Sequence, residues 1–416
     1  MKLSITDISN QSLGIAKDAQ NNKVFVKKAV IGDQIEVKII KKNSKFTLAE
    51  ITKIIAKSQF RKEAECKYFD DCGGCSMQHI EDNFYQNFKI QNFKNLIVKH
   101  NIPYQKEVNF TKIGQNSRRK VKFHLDNSNN ICFYKSHSKH LVAISNCLML
   151  EKEISNFNYK LQVFLNNFDK NIIKSVQICS FDNILDVVFE LKITKTSLKL
   201  EEKLILFAKK YQINLGLQIN QEIIPLIQIA KPKLHINNFW LEVPNNIFLQ
   251  ATKNGLKSII TEISEFIVKI KAKEVADIYA GIGSYSFGVI NETKNITAFE
   301  GIDEMTDSIN KNAKKNFLSD QLQAFTRDLF INPILSEELQ KYDLIIINPP
   351  RNGAESQIKE ISKLQKSNIT IVSCDFNSFF RDLSILSDNG FKLEKLSLID
   401  QFYYTYHIEI VAHLRK

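Results

Sequence analysis

The chain has 416 residues, of which 44% are hydrophobic and 25% charged, and its formal net charge is +12. This length predicts two or three domains, and this composition is that of a soluble globular protein. No uninterrupted apolar run of about eighteen residues occurs, so no membrane span is predicted. Residues 1–62 carry thirteen Lys or Arg against five Asp or Glu, which is two thirds of the net positive charge. The concentration indicates a polyanion partner, although a merely solvated lysine-rich surface would give the same count.

Residues 1–57 are predicted to form a small all-β barrel. Segments with alternating apolar residues, such as KVFVKKAV and QIEVKII, are separated by turn pairs at about ten-residue spacing. The turn pairs are Asn21-Asn22, Gly32-Asp33 and Asn43-Ser44.

Four cysteines then show a spacing that suits ligands of one metal centre: Cys66, Cys72, Cys75 and Cys147. Three thiols on one glycine-bearing loop and a fourth from a distant segment suit an iron–sulfur cluster. Tetrahedral zinc would use the same sulfurs, and unliganded thiols are a third possibility. Disulfides rank lower, because seven cysteines is an odd number and no charged-then-apolar leader opens the chain. We therefore expect a cytoplasmic protein.

The rest of the chain changes its pattern once. After an amphipathic helix at about 82–100, strands such as SVQICSF and ILDVVFEL dominate up to residue 240. From residue 247 helices and strands alternate, which predicts a doubly wound parallel sheet with ligands at the carboxyl ends of its strands. These patterns predict three domains: a barrel at 1–57, a central domain at 58–240 that holds the metal centre, and an α/β domain at 241–416.

The segment DIYAGIGS predicts a cofactor site. It leaves a strand and enters a helix, so Gly281 and Gly283 let the backbone approach a ligand, and the helix start offers free amides. Glu300 ends the next strand and can accept both hydroxyls of a ribose. Dinucleotides and S-adenosylmethionine both satisfy this pattern. Phe287 stands where a third glycine would fall, which argues against a pyrophosphate, and Asn348-Pro-Pro after an apolar strand is typical of methyltransferases.

Cys374 is the candidate nucleophile. It follows the strand ITIVS, and a doubly wound sheet would bring it to the ligand edge. A cysteine beside an apolar strand is more often buried filler. Its company strengthens the assignment: Asn348-Pro-Pro-Arg351, Arg381-Asp382, and a carboxylate in DQFYYTYHIE at residues 400–409.

Together these residues resemble the RNA uracil-5-methyltransferases, and within them the iron–sulfur branch with a TRAM domain that acts on 23S rRNA. LGIAK and KVFVKKAVIGDQIEVKI look like a TRAM barrel, and the S-C-x5-6-R-D and T-x-H-x-E patterns fit the catalytic motifs. The resemblance implies an N-terminal TRAM or OB-like β-barrel, a central α+β iron–sulfur domain, and a C-terminal class I, Rossmann-like α/β methyltransferase domain.

The resemblance also implies cofactors, partner and residue roles. It implies S-adenosylmethionine, a 4Fe-4S cluster on the four cysteines, and ribosomal RNA with a position-1939-type uridine as target; we expect a monomer with no DNA or membrane partner. Cys374 would add to uracil C6 and Glu409 would remove the C5 proton. The positions that match S-adenosylmethionine ligands are Gln250, Tyr279, Gly281, Gly283, Ser284, Glu300, Asp328 and Asn348. The predicted RNA contacts, which a solvated charge run would also explain, are Arg118, Arg119, Lys120, Lys122 and Arg351.

Three positions depart from the family pattern. Asn348 stands where Asp is usual, Asp375-Phe376 where Asn-Pro follows the nucleophile, and Tyr403 where Pro is common. A carboxylate beside Cys374 would raise the thiol pKa, and Arg351 would offset it. The competing hypotheses are a methyltransferase for the T-loop uridine of tRNA, a catalytically idle RNA-binding relative, and an amino-group methyltransferase. The last lacks the aromatic residue expected where Arg351 stands.

Overall fold

The computed structural model describes residues 1–44, 46–136, 138–245 and 247–416. These residues group into two compact units. The first unit comprises Met1–Leu96, Cys132–Ile144 and Phe402–His407. The second comprises Ile97–Ile131, Ser145–Gln401 and Ile408–Lys416. The domain boundaries expected at residues 57 and 240 stay predictions. Within the described ranges, no helix has the length and apolar character that a bilayer crossing requires.

The N-terminal part of the first unit is a six-stranded sheet. Its strands are β1 (Lys2–Ser4), β2 (Asp7–Ile8), β3 (Gly14–Lys17), β4 (Lys23–Lys27), β5 (Gln34–Lys42) and β6 (Thr47–Ala56). They lie in the order β1-β5-β6-β4-β3-β2. Val24 and Val26 of β4 are fully buried while their neighbours are partly or fully exposed, as expected for a sheet with one face on a core. The prediction of an all-β N-terminal domain is confirmed.

The middle of the chain adds helices and a second group of strands. Their bounds are α1 (Asp82–Lys99), β7 (Val108–Lys112), β8 (Lys120–Leu125), β9 (Ile131–Tyr134), β10 (Leu141–Ala143), α2 (Lys152–Asn166), β11 (Ile173–Ser180), β12 (Leu185–Leu191), α3 (Leu198–Tyr211), β13 (Asn214–Ile219), β14 (Glu222–Ile227), β15 (Lys233–Ile236) and β16 (Phe239–Glu242). In the second unit, five strands lie in the order β8-β11-β12-β13-β14, and β12 and β13 are parallel.

The C-terminal part of the second unit alternates helices and strands, as predicted. Its elements are α4 (Lys253–Ile270), β17 (Glu274–Ile278), α5 (Ser284–Val289), β18 (Asn295–Glu300), α6 (Asp303–Lys315), β19 (Leu322–Thr326), α7 (Ser336–Leu339), β20 (Leu344–Ile347), α8 (Glu355–Ser362), β21 (Asn368–Ser373), α9 (Phe376–Asp388), β22 (Lys392–Asp400) and β23 (Glu409–Arg415), with one 3-10 turn at Ile290–Glu292. Every residue of β20 is buried, because helices cover both faces of such a sheet.

The eight-stranded sheet has the order β19-β18-β17-β20-β21-β23-β22-β7. Strands β17 to β21 are mutually parallel, whereas β23 is antiparallel to both of its neighbours. The strand order reverses at β17, so the carboxyl ends of β17 and β20 border the crevice where ligands bind in folds of this kind. Strand β7 joins the far edge beside β22, although its sequence lies within the predicted central domain.

Candidate active site

A strained turn joins β17 to α5. Tyr279, Gly281 and Gly283 have φ values of 61°, 57° and 74°, in the left-handed region that glycine adopts without steric cost and tyrosine does not. A Cβ on Gly281 would meet no atom within 4 Å. The turn therefore leaves open space beside the backbone at Gly281, which is the property that the sequence pattern predicted.

Glu300 holds this turn in place. Its Oε2 accepts the Gly281 N–H at 2.9 Å, and its Oε1 accepts the N–H groups of Gly301 at 2.8 Å and Ile302 at 3.2 Å. An ionised carboxylate offers about four acceptor positions, so capacity for a ligand hydroxyl remains. The structure thus adds a supporting role to the predicted ribose contact.

Two further predicted cofactor residues lie near Glu300. Burial, with the carboxylates of Asp382, Asp328 and Glu300 close by, raises the pKa of Tyr279 to about 12. The Tyr279 ring lies 5.6 Å from that of Phe330, and Asp328 Oδ1 accepts the Phe330 N–H at 3.0 Å. The ends of β17, β18 and β19 therefore bring Tyr279, Glu300 and Asp328 together.

A buried hydrogen-bond network connects the predicted base with two predicted cofactor ligands. Gln401 Nε2 donates to Glu409 Oε2 at 2.6 Å and to Gln250 Oε1 at 2.9 Å. Gln250 Nε2 donates to the Tyr285 hydroxyl at 2.8 Å, which also accepts from Asn348 Nδ2 at 3.3 Å. Gln250, Tyr285, Gln401 and Glu409 are all buried.

Glu409 is poised to exchange a proton near neutral pH. Burial raises the pKa of its carboxyl to about 7, against the lowering effect of the hydrogen bond from Gln401. A general base works best when its pKa lies near the operating pH. Burial of Glu409, which is only 3% exposed, also excludes the alternative of a solvated strand residue.

Cys374 lies between the end of β21 and the start of α9. It is half-buried, whereas Cys132 and Cys179 are buried. Burial is the largest cause that raises the pKa of its thiol; the nearby Glu409 and Asp375 carboxylates add to it, and the Arg351 guanidinium lowers it. The expected opposition of Asp375 and Arg351 is present, but burial outweighs both. Asp375 also caps α9, because its Oδ1 accepts the Ser378 N–H at 2.9 Å.

The Arg381-Asp382 pair fixes the loop after β20. Arg381 Nε and Nη2 donate to Asp382 Oδ1 at 2.8 and 2.6 Å, and Arg381 Nη1 donates to the Asn352 carbonyl at 3.3 Å. A side chain on Gly353, whose φ is +77°, would collide with the Arg381 guanidinium and lie 3.1 Å from Asp382 Oδ2. These contacts tie the Asn348-Pro-Pro-Arg351 loop to the helix that follows the candidate nucleophile.

Sequence reasoning missed three buried polar residues of the site: Asp277, Tyr285 and Gln401. Asp277 is fully buried, its Oδ2 accepts the Ser286 hydroxyl at 2.6 Å, and burial raises its pKa to about 6. Tyr285 directly follows the predicted Ser284, which starts α5. Gln401 stands inside the DQFYYTYHIE segment, so its polarity beside a buried strand was the available signal.

The predicted RNA contacts divide into internal and external residues. Arg119 is 2% exposed and donates to the Ser180 carbonyl from Nε at 3.1 Å and from Nη2 at 2.9 Å. Its guanidinium thus serves the interior, and the neighbouring Phe123 is fully buried, so it cannot stack on a base. Lys122 is exposed and pairs with Glu190 at 2.8 Å. Arg118 and Lys120 are half-buried, and Arg351 is exposed.

The cysteine loop is held closely against a neighbouring segment of the first unit. The Gly73 N–H donates to the Tyr134 carbonyl at 2.9 Å, and a Cβ on Gly73 would lie 2.8 Å from that carbonyl oxygen. The Gly74 N–H points at Cys72 Sγ at 3.4 Å. Burial, then the nearby Cys66 thiol, raises the pKa of Cys72 despite that hydrogen bond. In the described part of the chain, no three Cys, His, Asp or Glu side chains are grouped closely enough to hold a metal ion.

The reversed strand order, the open glycine turn and the carboxylates at the strand ends define the fold of an S-adenosylmethionine-dependent methyltransferase. Over 100% of both chains, the fold is similar to that of Pyrococcus abyssi tRNA (uracil-54, C5)-methyltransferase, solved in complex with S-adenosyl-L-homocysteine. The TM-score is 0.77 and the sequence identity is 16%.

The family model described as tRNA (Uracil-5-)-methyltransferase matches residues 146–416, and the TRAM domain model matches residues 1–52. The first match spans more than half of the chain, so the protein belongs to the tRNA (uracil-5-)-methyltransferase family. Two similar relatives carry the name 23S rRNA (uracil(1939)-C(5))-methyltransferase RlmD. They come from Shewanella baltica strain OS195, at 26% identity, and Shewanella woodyi strain ATCC 51908 / MS32, at 28%. Each alignment covers 99% of this chain and 95% of the relative. The resemblance inferred from sequence is confirmed.

Proposed function

We propose that the protein methylates C5 of a uracil in 23S rRNA, at a position-1939-type uridine, with S-adenosylmethionine as methyl donor. The observation that carries the proposal is the proximity of the Cys374 thiol to the buried Glu409, since the Glu409 charge is among the causes that raise the pKa of Cys374. The names of the RlmD relatives favour rRNA over tRNA. The basic first 62 residues, matched by a TRAM domain, support an RNA substrate.

The residues at the strand ends fit S-adenosylmethionine. The space beside Gly281 is open, the Glu300 and Asp328 carboxylates provide acceptors, and Gln250 and Asn348 lie in the adjoining network. Tyr279, Gly283 and Ser284 complete the proposed cofactor residues. The cofactor supplies a sulfonium methyl group when bound.

The chemistry explains why a thiol and a buried carboxylate are both needed. Uracil C5 is a weak nucleophile, so the Cys374 thiolate adds to C6 and its electron pair turns C4–C5 into an enolate. The enolate carbon C5 then takes the methyl group. Glu409 removes the remaining proton from C5, the electron pair re-forms the C5–C6 double bond, and the thiolate leaves.

Asn348 suits this arrangement even though the family usually has Asp there. Its amide donates to the Tyr285 hydroxyl, and the Glu409 and Asp277 carboxylates already act on Tyr285. A carboxylate at position 348 would add a third negative charge beside the same hydroxyl. The neutral amide avoids that repulsion, so we interpret the departure as compatible with activity.

The four cysteines Cys66, Cys72, Cys75 and Cys147 would hold a 4Fe-4S cluster. The donor set is one that such clusters use, and the backbone N–H aimed at Cys72 Sγ is a hydrogen bond that stabilises a thiolate. The close approach of Gly73 to the Tyr134 carbonyl gives the loop a fixed conformation. The cluster would supply a rigid link between the cysteine loop and the segment around Cys147.

The direct test is methyl transfer from labelled S-adenosylmethionine to separated rRNA and tRNA that lack 5-methyluridine. We expect label in rRNA, and 5-methyluridine after digestion. Cys374→Ala should abolish the transfer, whereas Cys179→Ala, a change of a buried cysteine in the same unit, should retain it. Label in tRNA alone would favour the T-loop hypothesis, and label in neither RNA would favour an idle RNA-binding protein.

A further inference from the structure

Gln401 makes contacts that neither the sequence motifs nor the family matches assign. It lies one residue beyond β22 and is 1% exposed. Its single Nε2 atom donates to both Glu409 Oε2 and Gln250 Oε1, so both amide hydrogens are used. Among the described residues its Oε1 has no hydrogen-bond partner. An ionised carboxylate only accepts hydrogen bonds, so the amide nitrogen must face Glu409.

A glycine in α4 makes room for this side chain. A Cβ on Gly255 would lie 2.5 Å from Gln401 Oε1 and 2.9 Å from Gln401 Cβ. Glycine in a helix costs about 1 kcal/mol relative to alanine. Gly255 stands in the first turn of α4, next to Thr252, which caps that helix. The helix thus accepts a less favourable residue where Gln401 needs the space.

We infer that Gln401 is a positioning residue that holds the base Glu409 and joins it to the Gln250 side of the cofactor site. The inference rests on the proposed function, because it takes Glu409 as the base. With Oε2 occupied by the Gln401 N–H, the proton removed from uracil C5 goes to Oε1. Gln401 therefore selects which carboxylate oxygen reacts, and the same amide registers the position of Gln250.

The inference has a consequence for pH dependence. The titratable groups that face Glu409 are the Tyr285 hydroxyl from α5 and the Cys374 thiol at the end of β21, with Arg351 beside that thiol. The Gln401 hydrogen bond favours the ionised carboxylate. Its loss raises the pH at which Glu409 accepts the C5 proton. A hydrogen bond to a charged group is worth about 1.5–3 kcal/mol, so the shift should be about one pH unit or more.

The experiment measures the methylated covalent adduct on RNA with an ordinary target uridine. The full-length protein is mixed with S-adenosylmethionine and RNA at pH 5.5 to 9, quenched, and the trapped fraction is read on a denaturing gel. In the unmutated protein the adduct should resolve with a midpoint near pH 7, the value to which burial raises the Glu409 pKa. Gln401→Met should move the midpoint upward by about one pH unit or more. Gly255→Ala should move it in the same direction, because the added methyl group displaces Gln401.

Two controls separate positioning from folding. Both variants should still form an adduct with 5-fluorouridine RNA, which does not need the base. Gln357→Met changes another buried glutamine, which bonds only to the backbone of Ile334; it should lower thermal stability without moving the midpoint. An unmoved midpoint in Gln401→Met, beside an active unmutated protein, would overturn the inference. No adduct in the unmutated protein would overturn the proposed function and this inference together.

Discussion

Replacing Glu409 by Gln should make the protein more stable and less active. The pKa of Glu409 rises from 4.5 to about 7 on burial, which corresponds to about 3 kcal/mol against the ionised form. A carboxyl group with a raised pKa binds its proton more tightly in the folded state. The protein therefore loses that stability as the pH rises from about 4.5 through 7. A neutral amide avoids the loss and can still accept the Gln401 hydrogen bond.

The assay is thermal and chemical unfolding of the unmutated protein and Glu409→Gln between pH 4.5 and 8.5. At pH 8 the variant should be more stable by up to about 3 kcal/mol, and the difference should vanish near pH 4.5. Turnover should fall by about 10²–10⁴-fold, the usual contribution of a general base. Addition of Cys374 does not need the base, so a methylated adduct should accumulate on ordinary uridine.

A matched control uses a glutamate with the opposite shift. Lys395, 2.7 Å away, and His413 lower the pKa of Glu262 to about 2 despite its burial. Glu262→Gln should therefore destabilise the protein at pH 8 and should leave no adduct trapped. A Glu409→Gln variant that is no more stable than the unmutated protein at pH 8, or that keeps full turnover, would refute the reasoning.

Three further predictions concern other parts of the molecule. Anaerobically purified protein should be brown and hold about four irons per chain; Cys147→Ala should lose iron, and stoichiometric zinc without iron would contradict the cluster. Replacing Lys27 and Lys41, which line a groove of about 760 Å³ in the N-terminal sheet, by Gln should flatten the salt dependence of RNA binding by roughly 0.7–0.9 in log–log slope per lost phosphate contact; an unchanged slope would leave those lysines to solubility. Gly353→Ala should lower turnover by tenfold or more, because its side chain collides with Arg381; unchanged kinetics would show that the loop adapts.

The sequence predicted local features well and distant pairings poorly. The alternating pattern of β3 to β6, the glycine turn at residues 279–283 and the placement of Cys374 after a strand all follow from short segments. Gln401 was missed because its partner Gln250 is 151 residues away. Strand β7 was placed in the central domain for the same reason, since Asn109 pairs with Ser397, 288 residues further on.

Charge in the sequence does not reveal burial. The run from Arg118 to Lys122 predicted a surface for phosphates, yet Arg119 points inward to the Ser180 carbonyl. The pKa of Cys374 was expected to depend on its charged neighbours, but burial is the larger cause. Both outcomes depend on the packing of side chains from distant segments, which no local pattern records.

The most direct test of the central claim is a covalent trap with RNA that carries 5-fluorouridine at the target position. Cys374 adds to C6 and the methyl group is transferred, but fluorine replaces the proton that Glu409 must remove, so elimination stops. We expect an adduct that depends on S-adenosylmethionine, with mass spectrometry locating a methylated 5-fluorouridine nucleotide on Cys374. Absence of this adduct on both rRNA and tRNA, or its attachment to another cysteine, would contradict the account.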